Sequence, residues 1–201
     1  MEPLNLTKST KFLYDSNLTF FTTKTLRDIL NIDKESVFFD YIRKLVINDV
    51  LTKIERNKYI LTAKTPDAMV LANMLYQPSY LSFDTALNYY GILSQFPLEI
   101  SSATTKKTNR KRAGDSEYSY THLDPKFYFG YEKRDGLIIA TPEKAFFDQA
   151  YLTSKGIKML NVDEYDLSRI NKTVLKSYLD KLKHNIQFRD MLYKIKKYIN
   201  I

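Results

Sequence analysis

The chain contains no cysteine. That excludes disulfides, thiolate nucleophiles and cysteine-held metals, and it fits a reducing compartment. Histidine is nearly absent too, with only His122 and His184, too few for a histidine-rich metal site. No charged-then-apolar leader follows Met1, and no uninterrupted apolar run approaches the ~18 residues a membrane helix needs. A soluble, cytoplasmic protein is expected. There is no glycine-rich loop to cradle a phosphate, and no second carboxylate stands at metal-site spacing. Neither a cofactor nor a metal is expected. Positive charge is missing from one long stretch, since residues 66–103 hold no Lys or Arg and three acids.

The remainder is basic in sum, although residues 113–160 carry net −1. Hydrophobic residues make up 44% of 201 positions, enough to core one large domain or two small ones. The net charge of +8 favours a polyanionic partner. A lysine-rich compositional bias is the bland alternative, but it would not leave 38 consecutive residues without a cation. Residues 1–65 carry net +3, residues 104–112 net +5 and residues 161–201 net +4. The charge is segregated.

Residues 1–65 read as a winged helix-turn-helix DNA-binding domain. A first helix spans Leu4 to Tyr14. Thr22 then caps a helix with Leu26, Ile29 and Leu30 on one face, and Asn31-Ile32-Asp33 makes a turn in which Asp33 can cap the next helix. There Phe38, Tyr41, Ile42 and Leu45 share one side. Ser36, Asp40, Arg43 and Ile47 lie opposite, flanked by Phe39 and Lys44. Two short helices across a tight turn leave the second available to a major groove. Alternation from Val50 to Leu61 around Arg56-Asn57-Lys58 reads as a β-hairpin, the wing. The candidate DNA contacts are Thr23, Lys24, Lys34, Ser36, Phe39, Asp40, Arg43 and Lys44 on the helices, with Lys53, Arg56, Asn57 and Lys58 on the wing. A scaffold or dimer contact with the same outline is the alternative.

Residues 66–160 read as an α+β domain. It opens with a helix from Ala68 to Leu75, apolar nearly all round, buried between the halves or serving a dimer contact. Strands are expected near residues 96–105, at 117–122, 127–131 and 136–141. Two capped helices frame the domain. Ser82 or Ser79 can cap the first and Gly91 end it; Thr141 caps the second, with Pro142 at its first position and Glu143 favouring the positive end of the dipole. Between them Lys106, Lys107, Arg110, Lys111 and Arg112 form a basic loop, for phosphate contact or simply solvated. Lys144 and Asp148 stand four apart on a helix and can pair. A capped helix with a structural ion pair is one account of Glu143, Lys144 and Asp148, and catalysis is the other. Residues 161–201 read as a basic helical tail packed on the second domain. Leu175, Tyr178, Leu179 and Leu182, then Phe188, Leu192, Ile195 and Ile199 recur at helical spacing, with Lys176, Lys183, Arg189, Lys194 and Lys197 opposite.

The run Ser79-Tyr80-Leu81-Ser82-Phe83-Asp84-Thr85-Ala86-Leu87-Asn88-Tyr89-Tyr90-Gly91-Ile92 resembles that of the AbiEi-type antitoxins, the transcriptional-regulator half of type IV (abortive-infection) toxin–antitoxin systems. Phe127-Tyr128-Phe129-Gly130 and Thr141-Pro142-Glu143-Lys144-Ala145-Phe146-Phe147-Asp148 are similar to the same family, the latter most specifically. The resemblance covers about residues 15–150. Tyr90 stands where the family often has His, and Asn57 where it often has Gly. The resemblance implies an N-terminal domain that represses its own operon at promoter repeats. It also implies a C-terminal domain that counters a nucleotidyltransferase toxin without a stable complex. A non-enzymatic autorepressor and antitoxin is therefore expected, with double-stranded DNA as partner and a homodimer allowed. The alternatives are a nucleic-acid- or nucleotide-processing enzyme and a protein-interaction module without DNA binding.

Overall fold

The computed structural model describes residues 5–158, 160, 162–182 and 189–199. Of the positions named above, Leu4, Lys183, His184 and Phe188 lie outside these, as do the side chains of Leu182, Lys194 and Ile199. The protein is mixed α and β, with two separate sheets. It divides into one unit ending at Asp67 and another beginning at Ala68.

In the first unit, the Asn5 side chain caps α1 (Leu6–Asp15). Strand β1 (Phe20–Thr22) runs into α2 (Thr23–Leu30), where the Thr22 hydroxyl accepts from the Thr25 amide at 3.1 Å. Asn31, left-handed at φ 51°, ends α2, a conformation asparagine tolerates. Helix α3 spans Glu35–Ile47. The expected Asp33 cap does not form. The helix starts one residue later, so its cap position falls on Lys34, whose side chain makes no capping bond. Asp33 instead offers its carbonyl to Arg27 at 3.1 Å. Strands β2 (Leu51–Glu55) and β3 (Lys58–Leu61) make a hairpin with Asn57 at φ 63°. Strand β1 pairs antiparallel with β3, giving the order β1-β3-β2. Leu13, Phe21, Leu26, Leu30, Phe38, Ile42, Leu45, Leu51, Tyr59 and Leu61 form its core. One face of each helix and the inward positions of the strands meet there, as their periods require.

In the second unit a six-stranded sheet runs β6-β7-β5-β4-β9-β8. The strands are β4 (Ser79–Leu81), β5 (Ile100–Thr104), β6 (Asn109–Ala113), β7 (Ser116–His122), β8 (Tyr131–Arg134) and β9 (Leu137–Ala140). The β4–β9 and β5–β7 pairs are parallel, and the others antiparallel. Helices α4 (Ala68–Leu75), α5 (Phe83–Tyr89), α6 (Pro142–Ser154), α7 (Lys172–Leu179) and α8 (Arg189–Ile199) complete it. Helix α4 is fastened to the sheet. Tyr120 donates to the Ala72 carbonyl at 2.7 Å, and the Asn73 amide exchanges two bonds with the Ile138 backbone. The apolar connector thus belongs to the second unit.

Two expectations for this sheet are corrected. The basic loop is an edge strand, because residues 109–113 pair with 116–120 through a turn whose Gly114 sits at φ +58°. Charged side chains suit an edge, where they stay hydrated and discourage further pairing. The strand expected at 127–131 begins only at Tyr131, since Phe127 ends a 3₁₀ turn (Pro125–Phe127) capped by Asp124 and Gly130 sits at φ 70°, outside the extended range. Helix α6 is as expected, with the Thr141 hydroxyl accepting from the Lys144 amide and Pro142 in the first turn.

Candidate nucleic-acid interface

The outward side of α3 is open. Phe38, Ile42 and Leu45 are buried, whereas Ser36, Phe39, Asp40, Arg43, Lys44 and Ile47 are exposed, Ile47 by 71%. Arg43 and Asp40 pair at 3.2 Å on this face, both well solvated. Lys24 is exposed on the first turn of α2 and Lys34 at the start of α3. Thr23 is half-buried, and its amide takes the Asn57 carbonyl at 3.1 Å, which ties the hairpin tip to the start of α2. Lys53, Arg56 and Asn57 are exposed on the hairpin. Lys58 is not presented as freely. It is only a quarter exposed and pairs with Glu55 at 2.8 Å.

The five cations of residues 106–112 do not form one patch. Successive strand residues face opposite sides. Lys106 and Lys111 each lie 5.5 Å from the ring of Tyr76. Tyr76 also donates to the Lys107 carbonyl at 3.0 Å. Arg110 and Arg112 take the other face of β6, where Arg110 stands 3.7 Å from Glu99.

Lys144 of the Thr-Pro-Glu-Lys-Ala run and the downstream Asp148 form the centre of a buried cluster. Lys144 and Asp148 are fully buried and paired. Lys144 also donates to the Phe127 carbonyl at 2.7 Å, and its ammonium lies 4.6 Å from the Phe129 ring and 4.8 Å from that of Phe147. Asp148 accepts from Tyr80 at 2.9 Å and Ser82 at 2.8 Å. Burial pushes the Asp148 carboxyl up, against the pull of Lys144, Ser82 and Tyr80. Burial pushes the Lys144 ammonium down, against the pull of Asp148. Tyr80 is raised, first by burial and then by the Asp148 charge. Each charge is therefore held by its partner and hydrogen bonds rather than by water.

Gly130 is where this cluster needs a glycine. It sits at φ +70°, and a Cβ there would stand 3.1 Å from the Cβ and Cγ of Lys144. Its carbonyl accepts from the Thr141 amide at 2.9 Å, so the Phe-Gly segment and the α6 cap hold one another. Gly91, at φ +67°, follows α5 as expected. Ser82 does not cap α5 through its side chain, because that hydroxyl serves Asp148. Ser79 does not cap it either, since it lies in β4. Glu143 reaches further than a dipole partner would, accepting from the Asn171 amide at 2.8 Å where α7 begins.

Tyr80 was not singled out from the sequence. The signal was there, because Tyr80 and Ser82 stand two apart in extended backbone and so share a side. Two adjoining cavities, ≈ 260 and ≈ 470 Å³, share Thr108, Thr121, Leu152 and Ile157, and a third of ≈ 500 Å³ is lined by Tyr128 and Tyr131. Glu143, Lys144 and Asp148 line none of the three. His122 hydrogen-bonds the Lys106 carbonyl through Nδ1 at 3.0 Å. Among the described residues there is no group of three potential metal ligands and no helix long and apolar enough to cross a membrane.

No protein-family model and no curated protein matches the chain. Among solved structures it is similar in fold to a crystal structure of the RV2827C protein from Mycobacterium tuberculosis. The TM-score is 0.58 at 14% sequence identity, over 87% of this chain and 70% of that one.

Proposed function

We propose that the chain is a DNA-binding transcriptional autorepressor and the antitoxin of a type IV toxin–antitoxin system, countering a nucleotidyltransferase-type toxin. The observation that carries the DNA-binding part is the outward face of α3. It follows a short helix and a tight turn, and it precedes a hairpin paired to a strand ahead of both helices. That element order supports a winged helix-turn-helix, with α3 as the groove-entering helix and β2–β3 as the wing. Had the outer side of α3 been sealed in a core, the reading would have been lost. Instead Ser36, Phe39, Asp40, Arg43 and Lys44 are exposed there.

The antitoxin part rests on the resemblance of the second unit's motifs to the AbiEi-type family. The buried cluster gives those motifs a structural purpose. Lys144 and Asp148 have no exposed surface, so they serve the fold rather than turnover. Ser82, Gly130 and Thr141 support that same cluster.

The test is an anisotropy titration of the full chain against duplex DNA from upstream of its own gene, beside a scrambled duplex of equal length. Tighter binding to the upstream duplex, weakening steeply with salt, is expected. Equal binding to both, or affinity indifferent to salt, refutes the regulatory reading. Protection of cells from the product of the neighbouring gene tests the antitoxin half separately.

A further inference from the structure

The outward side of α3 is not uniformly polar. Ile47, 71% exposed, lies at the middle of that side, and Phe39 and Val37, exposed by 39% and 48%, lie on its two opposite flanks. One exposed apolar residue needs no explanation. Phe39 stands beside the exposed Asp40 and Arg43, so its surroundings are mixed rather than apolar. A protein partner covering this surface would have to desolvate those charges along with the apolar groups, at a cost that often cancels the gain. A DNA major groove meets both kinds of side chain. Its phosphates take the cations, and the C5-methyl groups of thymine give apolar side chains something to cover.

Phe39 is best placed to do so. It is the fifth residue of α3, with Ser36 the second, Asp40 the sixth and Arg43 the ninth. The early turns of a groove-entering helix are the ones that reach base edges. Phe39 is also held in position. Its ring meets the buried Phe38 ring edge-on at 5.2 Å, and Phe38 is covered in turn by the Arg27 guanidinium at 4.5 Å. Orienting it therefore costs little side-chain entropy on binding.

We propose that Phe39 reads thymine: its ring packs on thymine methyl groups in the major groove, so the preferred duplex carries thymine where the first turns of α3 enter. This rests on the DNA-binding reading above and adds a specificity-determining residue to it.

Uracil substitution isolates the methyl. In the best-bound upstream duplex, each thymine is replaced singly by deoxyuridine, which keeps every Watson–Crick hydrogen bond. Affinity for the wild-type chain should fall about fourfold at one or two positions, the value of one buried methyl. Phe39→Ala should lose affinity for the thymine duplex and become indifferent to uracil at those positions. Phe39→Leu should keep part of the sensitivity and guards against a folding defect in the alanine variant. A wild-type chain indifferent to uracil everywhere overturns the proposal while leaving DNA binding intact. So does Phe39→Ala that still senses uracil, or that changes only the oligomeric mass. A wild-type chain that prefers no duplex overturns the DNA-binding reading and this inference together.

Discussion

Replacing Lys144 by Met removes the one cation that, among the described residues, pairs with Asp148 in the core. The carboxylate keeps Tyr80 at 2.9 Å and Ser82 at 2.8 Å but loses its counter-charge at zero exposure. Breaking one side of such a pair costs about 3–5 kcal/mol, a large share of the roughly 5–15 kcal/mol that holds an ordinary domain folded. Asp148→Asn strands the Lys144 ammonium on the Phe127 carbonyl and should cost about as much. The double variant should be far milder than the sum. No charge is left and the Asn oxygen can still accept from Tyr80 and Ser82, while the Phe127 carbonyl loses its donor and the Asn amide faces Met, about 1–3 kcal/mol for each stranded group. A coupling of at least ~2 kcal/mol is expected.

The pH dependence has a definite sign. Without Lys144 the Asp148 carboxyl, already raised by burial, rises further. A raised carboxyl contributes its stability fully below its unfolded value, roughly pH 4, and loses it as pH climbs through the folded value. The deficit of Lys144→Met should therefore grow as pH rises above the unfolded carboxylate value of roughly 4. Urea unfolding followed by tyrosine fluorescence reads this out, since 13 of the 16 tyrosines lie after Asp67. Single variants costing under ~1 kcal/mol, far below the cost of an unpaired buried charge, would refute the reasoning. Additive costs, or a deficit that shrinks with rising pH, would also refute it.

Gly130→Ala should destabilise by about 2–3 kcal/mol, from a left-handed backbone plus the Lys144 contact. Gly136→Ala, at φ +82° but facing open space, should cost about 1 kcal/mol by the same melting assay. Glu143→Ala removes the acceptor of the Asn171 amide and should loosen the start of α7, seen as faster amide exchange there with α6 still protected. Arg43→Ala and Arg56→Ala should each weaken operator binding without changing the melting temperature. A phosphate contact would lower the salt slope by about 1, and a base contact would relax specificity at one position. Lys58→Ala should do less, because Glu55 already engages that ammonium.

Legibility in the sequence followed how local the determinant was. Thr22, Asn31, Asn57 and Thr141 act on amides or dihedrals within a few residues, and each helix end or turn they mark is present. The Lys144–Asp148 pair was legible for the same reason, four residues along one helix. The cluster's other members were not. Ser82 meets Asp148 across 66 residues of chain and Tyr80 across 68, so a hydroxyl that looked like a cap was claimed by tertiary structure. The strand β6 was hidden because its composition is that of a loop. Only its pairing with Tyr118, Ser119 and Tyr120 makes it a strand, and that same pairing divides its cations between two faces. The start of α3 shows the narrower limit, since a shift of one residue moved the cap position from Asp33 to Lys34.

DNA binding through the outward face of α3 is tested most directly by the salt dependence of operator affinity, compared between the wild type and an Arg43→Glu, Lys44→Glu variant. Both positions are exposed, so the variant should stay folded, its melting point lowered only slightly by the lost Arg43–Asp40 pair and the acids near the end of α3. The expected result is a steep log–log slope for the wild type and a marked loss of both affinity and slope in the variant. Equal affinity and equal slope for the two chains would contradict it.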